Sequence, residues 1–172
     1  HKLDDTYVLH ATWVAIALWR LCEVPASAKI TLEHAGGALL EAVRQSKHAP
    51  LRTAALACVA RMIHSVALVN PLRILGAMDT LHHLASTDSG IVQNRMTATR
   101  TLHHVDALMR YQGTDDDASV ATYMPTPEAA DEEHRLNGLM VALLDDASPR
   151  LRAMGCRGVG RSAMLSAGNC KE

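Results

Sequence analysis

Pro50-Leu51-Arg52-Thr53-Ala54-Ala55-Leu56-Ala57-Cys58-Val59-Ala60-Arg61-Met62 is the stretch on which the fold turns. Its apolar positions at 51, 55, 58, 59 and 62 follow the spacing of one helical face, and Pro50 precedes them where a missing backbone N–H costs least. The same register returns elsewhere. Ala17-Leu18 lies 41 residues before Cys58-Val59, Thr99-Arg100 lies 41 after, and Gly158-Val159 lies 59 further on, one period plus an insertion of 18. Self-similarity at this period predicts helical units that cannot bury their apolar faces alone and stack to form a continuous core. The expected product is a long binding surface, not a reaction centre.

Working outward, Leu32, Ala35, Leu39 and Val43 lie on one helical face, and a polar break at Ser46-Lys47-His48 separates them from the stretch above, completing a helical pair. Leu75, Met78, Leu81 and Ala85 predict the first helix of the next pair. Val92, Met96, Leu102, Val105 and Met109 predict its partner, after a break at residues 86–90. Leu40 and Leu81, like Val43 and Leu84, are again 41 apart. Asn70-Pro71 reads as a turn closing one unit. The last pair is expected at about residues 132–145 and 149–165, with Ser148 as N-cap and Pro149 in the first turn. Between them and the third unit, an acidic surface insertion at 112–131 contains Gly113, an Asp run, Pro125 and Pro127, which defeat helix and strand periodicity. The helix at 7–21 is apolar nearly all round, with Val8, Trp13, Val14, Ile16, Leu18, Trp19 and Leu21, and such a helix expects cover on both sides. The whole of 1–172 reads as a single repeat domain, part of a longer array or of a larger assembly.

Composition agrees with an all-α chain. Ala, Leu, Val and Met supply most of the 48% hydrophobic content, Phe is absent, and aromatics amount to 3%, which suits closely packed helices. No run approaches a membrane span, and no charged-then-apolar signal segment opens the chain. Cys22, Cys58, Cys156 and Cys170 form no C-x-x-C pair; Cys58 and Cys156 fall at small apolar repeat positions, which predicts free, packed thiols and a reducing intracellular setting, cytoplasmic or cytoskeletal. The net charge of −1 conceals a separation: Asp115, Asp116, Asp117, Glu128, Asp131, Glu132 and Glu133 cluster in or beside the insertion, leaving 17 basic against 11 acidic residues elsewhere, a net of +6.

Asp146-Ala147-Ser148-Pro149-Arg150-Leu151-Arg152, followed by small residues at Gly155, Gly158 and Gly160, resembles the turn and second helix of a HEAT repeat. The quoted stretch is similar, with Ser46 in place of the Asp, and Gly90-Ile91-Val92-Gln93-Asn94-Arg95-Met96 looks like the final helix of an armadillo repeat. The last pair also looks like the Maestro-type HEAT proteins. The resemblance covers roughly residues 7–165 and implies a right-handed α-solenoid of about four armadillo/HEAT-like repeats, acting as a non-catalytic interaction module or scaffold that grips a partner polypeptide. The third unit departs most, because Arg100 stands at an apolar position and Thr99 at a small one.

Candidate chemistry is sparse. Gly155 to Ser162 reads G-x-x-x-x-G-R-S, one residue from a phosphate-binding loop, but a helical pattern rather than a strand precedes it, so close helix packing is the better reading. His82-His83 and His103-His104 are doublets whose members point about 100° apart on a helix, so each supplies at most one ligand to a given centre. No nucleophile sits at a spacing that places a base beside it, and no enzyme, metal or cofactor is expected. Nucleic acid is disfavoured by near-neutral charge and scarce aromatics. What remains is a row of arginines: Arg20, Arg61 and Arg161 share one register position, with Leu102 as the exception. In armadillo proteins the matching row faces the concave groove, which implies a groove lined by guanidinium forks suited to an acidic or phosphorylated protein segment. A solvated face with ordinary ion pairs is the alternative, and the acidic insertion is a tethered competitor for the same groove. A second function class, an architectural subunit wedged in a multiprotein assembly, is favoured by the all-apolar first helix.

Overall fold

The computed structural model describes residues 2–86, 91–111 and 127–169. Among these the chain is helical, without strands: α1 (Lys2–Leu21), α2 (Pro25–Gln45), α3 (Ala49–Met62), α4 (Val66–Ile74), α5 (Ala77–Ser86), α6 (Val92–Tyr111), α7 (Pro127–Ala142), a 3-10 turn (Leu143–Asp145) and α8 (Pro149–Asn169). Two compact units divide the chain, His1–His104 and Val105–Glu172, and the boundary falls inside α6. The all-α expectation holds. Residues 112–126, most of the acidic insertion, lie outside the described residues, as does Cys170.

In the first unit α3 packs against both α1 and α2, and α5 packs against α2 and α4. The 41-residue period governs this packing. Pro25 and Gln45, the ends of α2, fall one period before Val66 and Ser86, the outer ends of α4 and α5. Ala28, Thr31, Gly36, Leu39, Leu40 and Val43 are buried on α2, and one period on so are Val69, Leu72, Ala77, Thr80, Leu81 and Leu84. The first helix of one pair is therefore continuous, and its counterpart is broken in two. The break is at Gly76, whose φ of +77° is the left-handed cap that glycine adopts without Cβ strain. Arg44 from α2 holds the turn: its Nε donates to Thr80 Oγ1 at 2.7 Å, and Nη2 donates to the Gly76 and Leu75 carbonyls at 2.9 and 3.3 Å.

This relocates one expected boundary. Asn70-Pro71 does not close a unit, since Pro71 lies inside α4. Pro71 forfeits one helical hydrogen bond, but Leu68, Val69 and Leu72 form a single stripe that is almost wholly buried, and each such side chain contributes roughly 1.5–3 kcal/mol. Burial outweighs local propensity here. A second boundary moves as well: α7 begins at Pro127, so residues 127–131, expected in the insertion, are helical, with proline in the first turn where it is well tolerated.

The HEAT-like turn motif acquires a physical meaning. Arg52 reaches back six residues to the Ser46 carbonyl through Nε at 3.0 Å and through Nη2, and Arg152 reaches back six to the Asp146 carbonyl at 2.8 Å. In each turn the residue six before the arginine also caps locally: Ser46 Oγ accepts from the His48 amide at 3.2 Å, and Asp146 Oδ1 accepts from the Ser148 amide at 2.8 Å. The two turns, 100 residues apart, are built alike.

The second unit packs α8 against α7 and the 3-10 turn. Leu136, Met140, Leu143, Leu151 and Met154 are its core. A Cβ on Gly155 would stand 2.8 Å from the Met140 carbonyl oxygen, and one on Gly158 would run into the Met140 side chain, whereas nothing lies within 4 Å of Gly160. The G-x-x-x-x-G-R-S stretch is thus a helix whose first two glycines admit α7. Cys156, expected to pack as a small apolar residue, is exposed, because close approach of the two helices is centred on Gly155 and Gly158.

Candidate functional site

Helix α1 ends with Arg20, and the turn that follows carries Cys22 and Glu23 before Pro25 starts α2. One period later α3 ends with Arg61, followed by Ile63, His64 and Ser65. Because α1 and α3 pack side by side, these two ends converge. Arg20 Nη1 lies 3.7 Å from Glu23 Oε1, and Arg61 Nη2 lies 4.0 Å from the same oxygen. Arg20 also sits over the Trp19 ring, 4.5 Å from its centroid. Two of the three arginines predicted to form a row are therefore brought together around one carboxylate. Side-chain exposures of 67% for Arg20, 43% for Arg61 and 49% for Glu23 leave all three reachable from solvent.

Arg161 lies exposed on α8 in the second unit. The row's missing member, Leu102, is buried in the core. The reason is rotation: α6 buries Asn94, Ala98, Thr101 and Leu102, a face different from the Ala55, Val59 and Met62 face that α3 buries. Arg100, at the position of Val59, is consequently exposed, and the polar Thr99 is accommodated by donating to the Arg95 carbonyl at 2.8 Å.

Beside Arg61 is a recess of about 330 Å³ lined by Cys22, Glu23, Ala28, Arg61, His64 and Ser65, with Pro25 at its edge. Its floor and walls are chemically mixed. Cys22 Sγ and Cys58 Sγ, both buried free thiols, are 3.8 Å apart, and burial, with Cys22 second, pushes the Cys58 thiol far above the usual range. His64 stacks on His104, ring centroids 4.4 Å apart. Partial burial, then His104 and Arg61, hold the His64 imidazole below its ordinary value of 6.5, so it is neutral at pH 7. His104 Nε2 is buried without a hydrogen-bond partner. Among the described residues no three His, Cys, Asp or Glu side chains form a metal-ligand set.

Glu23, His64 and Cys22 were not singled out by sequence reasoning. A signal for them did exist: Glu23 and His64 are 41 residues apart, each three residues after an arginine of the row. The His103-His104 doublet was noticed as a pair, but its structural partner is His64. A comparison with protein-family models finds no match, and comparisons with curated proteins and with solved structures find none either.

Proposed function

We propose that this chain is a non-catalytic protein-interaction module, an armadillo/HEAT-like α-solenoid of about four repeats whose arginine row receives an acidic or phosphorylated segment of a partner protein. The observation that carries this reading is the convergence of Arg20 and Arg61, one repeat apart, on the single carboxylate of Glu23. Glu23 stands in for the ligand: it shows that the two guanidinium groups can reach one anion. Exposed ion pairs of this length contribute only about 0–1 kcal/mol, so a phosphate, which can take a bidentate fork from each arginine, displaces Glu23 at little cost. Arg161 would serve the same chemistry further along an extended ligand. No helix among the described residues is long and apolar enough to cross a membrane. Free thiols at Cys22 and Cys58 support a reducing setting, cytoplasmic or cytoskeletal.

Fluorescence anisotropy with an acidic phosphopeptide tests the reading. Affinity is expected to weaken steeply with salt, to fall about tenfold or more in Arg20→Glu/Arg61→Glu, and to be less dependent on Arg161 for shorter peptides. Equal binding by the wild type and the double variant would remove the arginines from the site. A second reading, an architectural subunit embedded in a large assembly, is favoured by one observation: Trp13 and Val14 are more than half exposed on α1. Cross-links from the native assembly spread over α1 and the outer helices, rather than concentrated at Arg20 and Arg61, would select it.

A further inference from the structure

The repeat register says what the uncovered face of α1 is shaped to hold. On α3 two edges can be assigned. Cys58 and Arg61 face the end of α1, through the Cys22 thiol at 3.8 Å and Glu23, and on the opposite edge Thr53 Oγ1 donates to Asn94 Oδ1 of α6 at 3.0 Å. Between these edges lies the arc of Ala55, Val59 and Met62, fully buried, and α2 is the remaining helix packed on α3. Moving back one period places the same three regions on α1. Thr12 and Ala15, matching Thr53 and Leu56, are buried. Val14 and Leu21, matching Ala55 and Met62, are 57% and 54% exposed, and Ala17, matching Cys58, is exposed as well. So α1 presents its inner edge to the array as α3 does, but the arc that α3 gives to α2 stands open. Trp13, in the place of Ala54, is 62% exposed and walls one side of that arc.

We infer that the Val14–Ala17–Leu21 face of α1 is a docking surface for one amphipathic helix of the α2 type, a helix carrying small and aliphatic residues at the spacing of Ala28, Leu32, Leu39 and Val43. The occupant is defined by the register: the equivalent arc one repeat later is filled by such a helix, and Val14, Ala17 and Leu21 follow the i, i+3, i+7 spacing that receives one. Polar or charged occupants are excluded because the arc offers no hydrogen-bonding side chain between Trp13 and Leu21 except at its Trp19-Arg20 end.

The test uses the full chain with Trp19→Phe, so that Trp13 is the sole tryptophan, and a synthetic peptide of the α2 sequence carrying Gly37→Ala, which meets no atom within 4 Å and strengthens the helix. The peptide contains no Trp or Tyr. A saturable blue shift of Trp13 emission, with affinity reduced about tenfold or more by Val14→Asp/Leu21→Asp, is the expected result. The variant chain should keep its helical circular dichroism, since both side chains are exposed in the chain alone. Absence of a shift up to about 1 mM peptide, or equal affinity in the double variant, overturns the inference. A blue shift that tracks protein concentration without peptide, with dimer in sedimentation, also overturns it by assigning the face to a second copy.

Discussion

Substituting Gly155 and Gly160 by alanine should move stability in opposite directions, although both lie on α8 five residues apart. Alanine in a helix interior is favoured over glycine by about 0.8–1.0 kcal/mol. At Gly160 nothing lies within 4 Å of the new Cβ, so the full gain of about 1 kcal/mol is expected. At Gly155 the new Cβ meets the Met140 oxygen at 2.8 Å and the Leu143 carbon and Leu144 nitrogen at 3.1 Å, all of them backbone. Backbone cannot swing aside as a side-chain tip does, so α8 must withdraw from α7 by roughly half an ångström, loosening the contacts of Leu151 and Met154; overpacking of this kind costs about 1–3 kcal/mol or more. Propensity offsets part of that, leaving a net loss of about 1–2 kcal/mol. Urea titrations followed at 222 nm, with amide exchange of α7 and α8 to localise the effect, should place the two variants on opposite sides of the wild type, about 1 M apart in midpoint for a slope of about 2 kcal/mol per M. If Gly155→Ala is as stable as Gly160→Ala, the α7–α8 approach described above is wrong.

Other perturbations follow from the same geometry. Arg44→Met should cost about 1–2 kcal/mol, because it removes the donor for the Leu75 and Gly76 carbonyls, partly replaced by water, and differential scanning calorimetry should show a lower Tm. Arg152→Met should destabilise by a similar amount and Arg52→Met likewise, since both close the same turn; a loss in one alone would break the equivalence of the two turns. For His64 the folded imidazole binds its proton less readily than the unfolded one, so its contribution is intact above pH 6.5 and is lost as pH falls through the lower folded value; Tm against pH should slope more gently there in His64→Asn. An anion bound by Arg61 should reverse that bias: NMR titration should show the His64 pKa rising when the phosphopeptide is added, and no rise would place the peptide elsewhere. Glu23→Gln should tighten phosphopeptide binding several-fold by removing the internal competitor, and weaker binding would mean that Glu23 positions the arginines rather than occupying them.

Much of the helical architecture was legible because burial follows the spacing of apolar residues. Leu32, Leu39, Val43, Ala55, Cys58 and Met62 were all chosen from periodicity and all are buried. The turn at Asp146 to Arg152 was legible for a different reason: its capping is local, within six residues, so the motif contains its own physics. The break at Gly76 was not, because a glycine in a helical pattern has two outcomes, and Arg44, 32 residues earlier, supplies the hydrogen bonds that stabilise the left-handed one. Arg20, Arg61 and Arg161 could be aligned from the sequence, but their convergence could not, since it depends on Glu23 in a turn that belongs to neither helical pattern.

Equivalence of register is not equivalence of environment, and the difference is where function enters a repeat chain. Positions 17, 58 and 99 align, yet Ala17 is exposed, Cys58 touches a second thiol, and Thr99 is buried with its hydroxyl turned back on its own helix. Each helix has the same backbone period, but its burial is decided by what lies on either side of it. Where neighbours are complete, as on α3, the row settles into core and only its edge remains chemical, giving Arg61 and the recess beside it. Where a helix has rotated, as α6 has, the row's position turns inward and Leu102 replaces a charge that the interior would not accept unpaired. Where one flank is open, as on α1, apolar residues of the core pattern become a surface, and Arg20 at its end links that surface to the anion site. Two neighbouring binding features, one apolar and one basic, thus arise at α1 from a single repeat pattern whose packing is unfinished on one side.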